Sequence, residues 1–143
     1  RYRLAQDNLL DRATAETLDF TGPFPWADAT FDGVIDNLSL CHNPLPAMIS
    51  TLAEIRRVLK PGGLLVARAF GPGTARESLG DVGTVTFTTA VDWRRMLADW
   101  TSLDICTAVV DRPLPIERLT ITARCPQPAA QSLPPADRHL VSV

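Results

Sequence analysis

The sequence predicts an α/β domain with a mainly parallel sheet and an antiparallel strand at its end. Three observations lead there. Residues 31–70 read as strand, helix and strand, with a Pro-Gly-Gly turn between the last two. The first of these strands, Asp32 to Leu40, is apolar at Val34, Ile35, Leu38 and Leu40, a nearly continuous pattern suited to burial on both faces. Two β-branched-rich runs, Leu103 to Val110 and Leu119 to Ala123, joined by DRPLPIER, read as a terminal hairpin-like pair.

The remaining elements follow in order. Residues 2–13 read as the tail of a helix with Leu4, Leu9 and Leu10 as its apolar members. Ala15 to Phe20 is a short strand, and the Gly- and Pro-bearing stretch from Thr21 to Thr30 is loop. Met48, Leu52, Ile55 and Leu59 share one face of a helix over Leu45 to Leu59. Arg56, Arg57 and Lys60 suit the negative end of its dipole, and Pro61-Gly62-Gly63 is expected to stop it. Leu64 to Phe70 is the next strand, and residues 71–84 form a glycine-rich loop. Thr89 with Asp92 makes a capping box for a helix whose apolar stripe is Trp93, Met96, Leu97 and Trp100. Residues 1–125 form one partial domain, and residues 126–143, rich in Pro, Ala, Gln and Ser, a flexible tail.

Bulk properties narrow the class. At 143 residues, 45% hydrophobic and 21% charged, the chain has the composition of one soluble globular domain. A net charge of −2 argues against a general nucleic-acid surface. No apolar run approaches the ~20 residues that span a bilayer. The three cysteines, Cys41, Cys106 and Cys125, lack metal-ligand spacing and suit reduced thiols of a cytoplasmic protein. The first residue is Arg1, compatible with processing or with a piece of a longer protein.

The run FDGVIDNLSLCHNPLPAMISTLAEIRRVLKPGGLLVARAF resembles the core of class I S-adenosylmethionine (SAM) dependent methyltransferases. In that family a Phe-Asp pair opens one strand and an Arg-Val-Leu-Lys-Pro-Gly-Gly segment closes the next helix. LDFTGPFPWADATFD and VTFTTAVDWRRMLADWTSLDICTAVV resemble the flanking family segments, so the likeness runs over roughly residues 14–124. It implies a Rossmann-like methyltransferase fold whose N-terminal strands, with their Gly-x-Gly-x-Gly loop, are missing here. It also implies SAM as cofactor.

The resemblance then assigns candidate residues. In open α/β sheets ligands sit beyond the carboxyl ends of the strands. Asp19 and Phe20 match positions that hold adenine, through a carboxylate acceptor and a packed ring. Asp36, Asn37 and Leu38 would line the methionine end. Asp36 is a polar residue late in an apolar strand, so it needs a partner or a cavity. His42, or Asp36, would serve as a base or acceptor contact. The bland alternatives are a turn aspartate at Asp19, a backbone-satisfied histidine at His42 and a core filler at Cys41. Phe-Gly-Pro-Gly at residues 70–73 is a rival nucleotide loop, with Asp92 following Gly73 by 19 residues. Pro72 removes a donor from that loop.

The resemblance therefore implies methyl transfer, in which proximity and orientation dominate, and a small-molecule acceptor is expected because no nucleic-acid module or basic segment is visible. The competing expectation is a catalytically inert methyltransferase-like module acting through protein association. Self-association, or pairing with a missing N-terminal half, follows from the strand edge such a gap would expose.

Overall fold

The computed structural model describes residues 13–127. The helix expected over residues 2–13 and most of the tail from Pro126 lie outside them. Among the described residues there are four strands and two α-helices: β1 (Phe31–Asn37), α1 (Leu45–Val58), β2 (Leu59–Phe70), α2 (Ala90–Met96), β3 (Thr101–Arg112) and β4 (Leu114–Arg124).

Pro44 caps α1, and proline lies in its first turn, where its fixed φ is favourable and its missing N–H costs nothing. Met48, Leu52 and Ile55 are buried along one face, as their spacing requires. The helix stops one residue earlier than expected, at Val58, and Leu59 is already extended. Pro61-Gly62-Gly63 therefore does not cap the helix. It lies inside β2, where Gly62 has φ 78° and the pairing with β1 jumps from Phe31↔Leu59 to Gly33↔Leu64. Gly63 is the residue that permits this jump. A Cβ there would lie 2.8 Å from the Lys60 carbonyl oxygen and 3.2 Å from that of Asp32. Gly63→Ala is expected to cost about 1–3 kcal/mol by forcing two backbone segments apart. A urea titration checks it, and an unchanged midpoint would mean the turn yields freely.

The sheet order is β1-β2-β4-β3. β1 and β2 are parallel, but β2–β4 and β4–β3 are antiparallel. The mainly parallel sheet expected from the sequence is thus corrected to a mixed one with more antiparallel than parallel pairs. The cause is the terminal hairpin. The turn between β3 and β4 is a single residue, Pro113, which forces antiparallel pairing, and β4 rather than β3 inserts beside β2. Residues read as the hairpin's loop are consequently strand. The strand expected over Ala15 to Phe20 is absent; that stretch lies along α1, where Thr51 Oγ1 donates to the Phe20 carbonyl at 3.2 Å.

One face of the sheet carries Leu65, Ala67, Ala69, Leu119, Ile121 and Ala123 into a core shared with the buried residues of both helices. The other face presents Ile35, Arg68 and the half-buried Val66 and Thr122, uncovered by either helix. No helix among the described residues is long and apolar enough to cross a membrane.

Candidate functional site

The site begins where β1 ends. Asp36 is 8% exposed and closes the strand by folding back on the turn that follows. Its Oδ1 accepts from the backbone N–H groups of Ser39 at 3.1 Å and Leu40 at 3.2 Å, which sets the short 3-10 turn Leu40–His42. The reversal holds Leu38 at φ 66°, a left-handed conformation costly for a branched side chain. Oδ2 of Asp36 is buried and finds no donor among the described residues. Burial pushes this carboxyl above its usual range, opposed by the backbone N–H groups of Leu40 and Ser39 and by the Ser39 side chain.

Asp36 is the one charged residue lining a cavity of about 320 Å³ between β1, α1 and residues 18–26. Aromatic walls dominate it: Phe20, Phe24, Trp26 and Phe31. Trp26 stands edge-on to Phe24 and to Phe31, with ring centroids 5.7 Å and 5.2 Å away. The loop bearing these rings is fastened to α1. Arg57 donates to Asp28 Oδ1 at 2.8 Å, to the Trp26 carbonyl at 2.9 Å and to the Phe24 carbonyl at 3.1 Å. Glu54 holds the other side of Arg57 and accepts from Phe24 N at 2.7 Å. The Arg57 guanidinium and that N–H bring the Glu54 carboxyl down to about 2.

The remaining candidates are placed as follows. Phe20 lines the cavity; Asp19 is exposed beside it. Asp19 Oδ1 is engaged in a local turn with Thr21 N at 3.0 Å and Thr21 Oγ1 at 2.7 Å, which holds its carboxyl below the usual range. Asn37 is exposed and Leu38 packs against the core, so neither forms part of the cavity wall. His42 also lies off the wall. Its Nδ1 is 3.2 Å from the Thr84 carbonyl oxygen and its ring stands edge-on to Phe70. A carbonyl only accepts, so Nδ1 carries the proton and Nε2 is left as the acceptor of the neutral ring. The structure thus brings Phe20 and Asp36 to one cavity and leaves His42 outside its wall. Cys41 is fully buried, and burial pushes its thiol up to about 11, consistent with a core filler.

The rival loop at Gly71-Pro72-Gly73 is occupied by the chain itself. Glu117 Oε2 accepts from Gly73 N at 2.6 Å, and its carbonyl accepts from Gly71 N at 2.9 Å and Thr74 Oγ1 at 2.9 Å. A Cβ on Gly71 would lie 2.4 Å from the Glu117 carboxyl carbon. Asp92 is committed to the capping box that starts α2, accepting from Thr89 N at 2.8 Å. A phosphate-cradling role for this loop is overturned.

Sequence reasoning missed the aromatic walls and their anchor. Phe24, Trp26 and Phe31 fell in or beside a segment read as loop, and Arg57 was seen only as a dipole partner. The Glu54–Arg57 spacing of three was the available signal for a helix-surface pair.

Residues 3–67 match the family model described as a methyltransferase domain. Over this stretch the chain is similar to that methyltransferase domain. Solved structures carry the likeness further along the chain. A SAM-dependent methyltransferase from Methanosarcina mazei is 20% identical, with a TM-score of 0.61 over 88% of this chain and 77% of its own. The 1,6-didemethyltoxoflavin-N1-methyltransferase of Burkholderia thailandensis, solved with bound 1,6-didemethyltoxoflavin and S-adenosylhomocysteine, is 20% identical, with a TM-score of 0.67 over 88% of this chain and 56% of its own. The [4+2]-cyclase SpnF is also 20% identical, with a TM-score of 0.65 over 89% of this chain and 61% of its own. At such identities the shared property is the fold, and the cyclase shows that the fold serves more than one reaction. Comparison with curated proteins finds no match.

Proposed function

We propose that this chain contributes to SAM-dependent methyl transfer onto a small-molecule acceptor, at the cavity that runs alongside β1 and reaches Asp36 near its carboxyl end. The observation that carries this reading is Asp36: a buried carboxylate with one unpartnered oxygen, on an otherwise apolar cavity. An ionised group in that position is costly unless a bound donor satisfies it. The residues present fit the cofactor in kind. Phe20 offers a flat apolar wall for the adenine ring, and Asp19, at the rim, an acceptor for its amino group. Asp36 Oδ2 offers an acceptor for the polar end of the methionine part, with Asn37 and Leu38 supplying the turn beside it.

When bound, SAM supplies a methyl group on an already activated sulfonium. The chain's own task is to orient the acceptor and exclude water. In this reading His42 Nε2 would take the proton from an acceptor that must lose one, after that acceptor reaches past the cavity wall.

Calorimetric titration of SAM and S-adenosylhomocysteine into the chain tests the reading. Saturable binding of both is expected, weakened about tenfold by Phe20→Ala through loss of ring stacking. A folded chain that takes up neither ligand would leave an inert module as the surviving account.

A further inference from the structure

We propose that the aromatic cavity is a site for a small organic cation, an alkylated ammonium or sulfonium group held between Asp36 and the rings of Phe24, Trp26 and Phe31. The inference deepens the methyl-transfer reading by naming what the cavity selects, and it rests on that reading only where the cation is the sulfonium of SAM.

Charge points to this class of ligand. Asp36 is the single charged residue on the wall; Ser39 and Thr51 are its other polar members, and both are neutral. The Thr51 hydroxyl is already committed to the Phe20 and Ala47 carbonyls, at 3.2 Å and 2.9 Å. Among the described residues no arginine, lysine or histidine reaches the lining. Arg57, which ties down the loop bearing the rings, is occupied by Asp28, by Glu54 and by the Trp26 and Phe24 carbonyls. Asp36 therefore brings a buried negative charge to the cavity with no counter-charge on its wall, and Oδ2 has no donor. A hydroxyl or amide could donate to Oδ2 but would leave the charge uncompensated. A cation compensates it, and one bearing an N–H also satisfies the oxygen. Phosphates and carboxylates are disfavoured, since they would meet Asp36 with no basic residue to hold them.

Shape points the same way. The plane of Trp26 lies 74° from that of Phe24 and 82° from that of Phe31, so the three rings meet as a corner. A corner suits a rounded group such as trimethylammonium, whereas a flat ligand calls for parallel faces. Ring faces attract a cation, tryptophan most strongly, and the attraction grows as apolar walls displace water. Leu40, Ile55 and Val58 supply such walls. Two sources carry this chemistry. One is the sulfonium of SAM, whose charge disappears when its methyl group leaves. The other is an acceptor that carries an ammonium group.

Calorimetry with choline and with its uncharged carbon analogue, in which tert-butyl replaces trimethylammonium, tests the proposal. Choline is expected to bind about tenfold or more tightly than the analogue. Asp36→Asn should abolish this preference. Trp26→Leu keeps the apolar contact but loses the ring face, so it should weaken choline about threefold or more and leave the analogue unchanged. A cooperative thermal transition in each variant shows that it is folded. A folded chain that binds neither compound, or both alike, overturns the proposal. A preference that survives Asp36→Asn, or is indifferent to Trp26→Leu, overturns it too. SAM that displaces choline assigns the cation to the cofactor; choline that binds at saturating SAM assigns it to the acceptor. SAM bound without any preference for choline would sink the cation site and keep the methyl-transfer reading. Choline bound by a chain that takes up no SAM would do the reverse.

Discussion

Trp93→Ala is expected to remove about 3–5 kcal/mol of stability, the largest loss of any single substitution considered for this chain. Trp93 is fully buried and heads the largest enclosed side chains. Its indole Nε1–H donates to Thr88 Oγ1 at 2.9 Å, and Thr88, itself 2% exposed, donates its backbone N–H to the Phe70 carbonyl at 3.1 Å. One residue later Thr89 and Asp92 exchange the hydrogen bonds that start α2. Truncation at position 93 thus opens a large void and frees the connection between α2 and the end of β2. A domain of this size has about 5–15 kcal/mol in total, so the loss is a third or more of it. Trp93→Phe should cost less, about 1–3 kcal/mol, by filling most of the space but leaving the Thr88 hydroxyl without its donor. Val91, exposed on the same helix, is the control: Val91→Ala should stay within about 0.5 kcal/mol. Urea unfolding of the three variants measures all of this. A Trp93→Ala midpoint near that of the parent would mean that α2 is not packed into the core.

This prediction was largely legible in the sequence, because the spacing of Trp93, Leu97 and Trp100 and the Thr89–Asp92 pair are local signals. The same holds for β1 and α1, whose patterns lie within one element. What was not legible depends on partners far along the chain. The Pro61-Gly62-Gly63 turn looked like a helix stop, since its relation to Asp32 across the sheet appears only once β1 and β2 pair. Glu117 gives no local hint that it fills the loop at Gly71 and Gly73, more than forty residues earlier. Ala15 to Phe20 has the composition of a strand, but a strand needs a neighbour, and among the described residues this stretch lies against α1 instead. Asp36 was legible as an anomaly, a carboxylate in an apolar strand. That only one of its oxygens would be satisfied was not.

That half-satisfied carboxylate leads to the second large effect. Asp36→Asn is expected to stabilise the chain at neutral pH by about 1–3 kcal/mol while removing the acceptor proposed for the ligand. Asparagine keeps an oxygen for the Ser39 and Leu40 N–H groups, so the turn survives, and it no longer buries a charge. The sign with pH follows from burial raising this carboxyl in the folded state. The native state then holds the proton to higher pH than the unfolded state does. Native stability is greatest below the ordinary carboxylate range, falls as pH rises from that range through the raised native value, and is level above it. The Asn variant lacks this fall at position 36. Its advantage over the parent should be small at low pH and grow to its full size by neutrality. Asp36→Ala should move the other way, since it strands two backbone donors at the end of β1. Thermal unfolding of the three proteins across this pH range separates the cases. An advantage for Asn that does not vary with pH would show that the charge is already satisfied in solution. The same variant is expected to bind SAM about tenfold or more weakly. Gain of stability with loss of binding, from one exchanged atom, is the pattern of a group kept for a ligand. Unchanged binding would make Asp36 a turn residue alone.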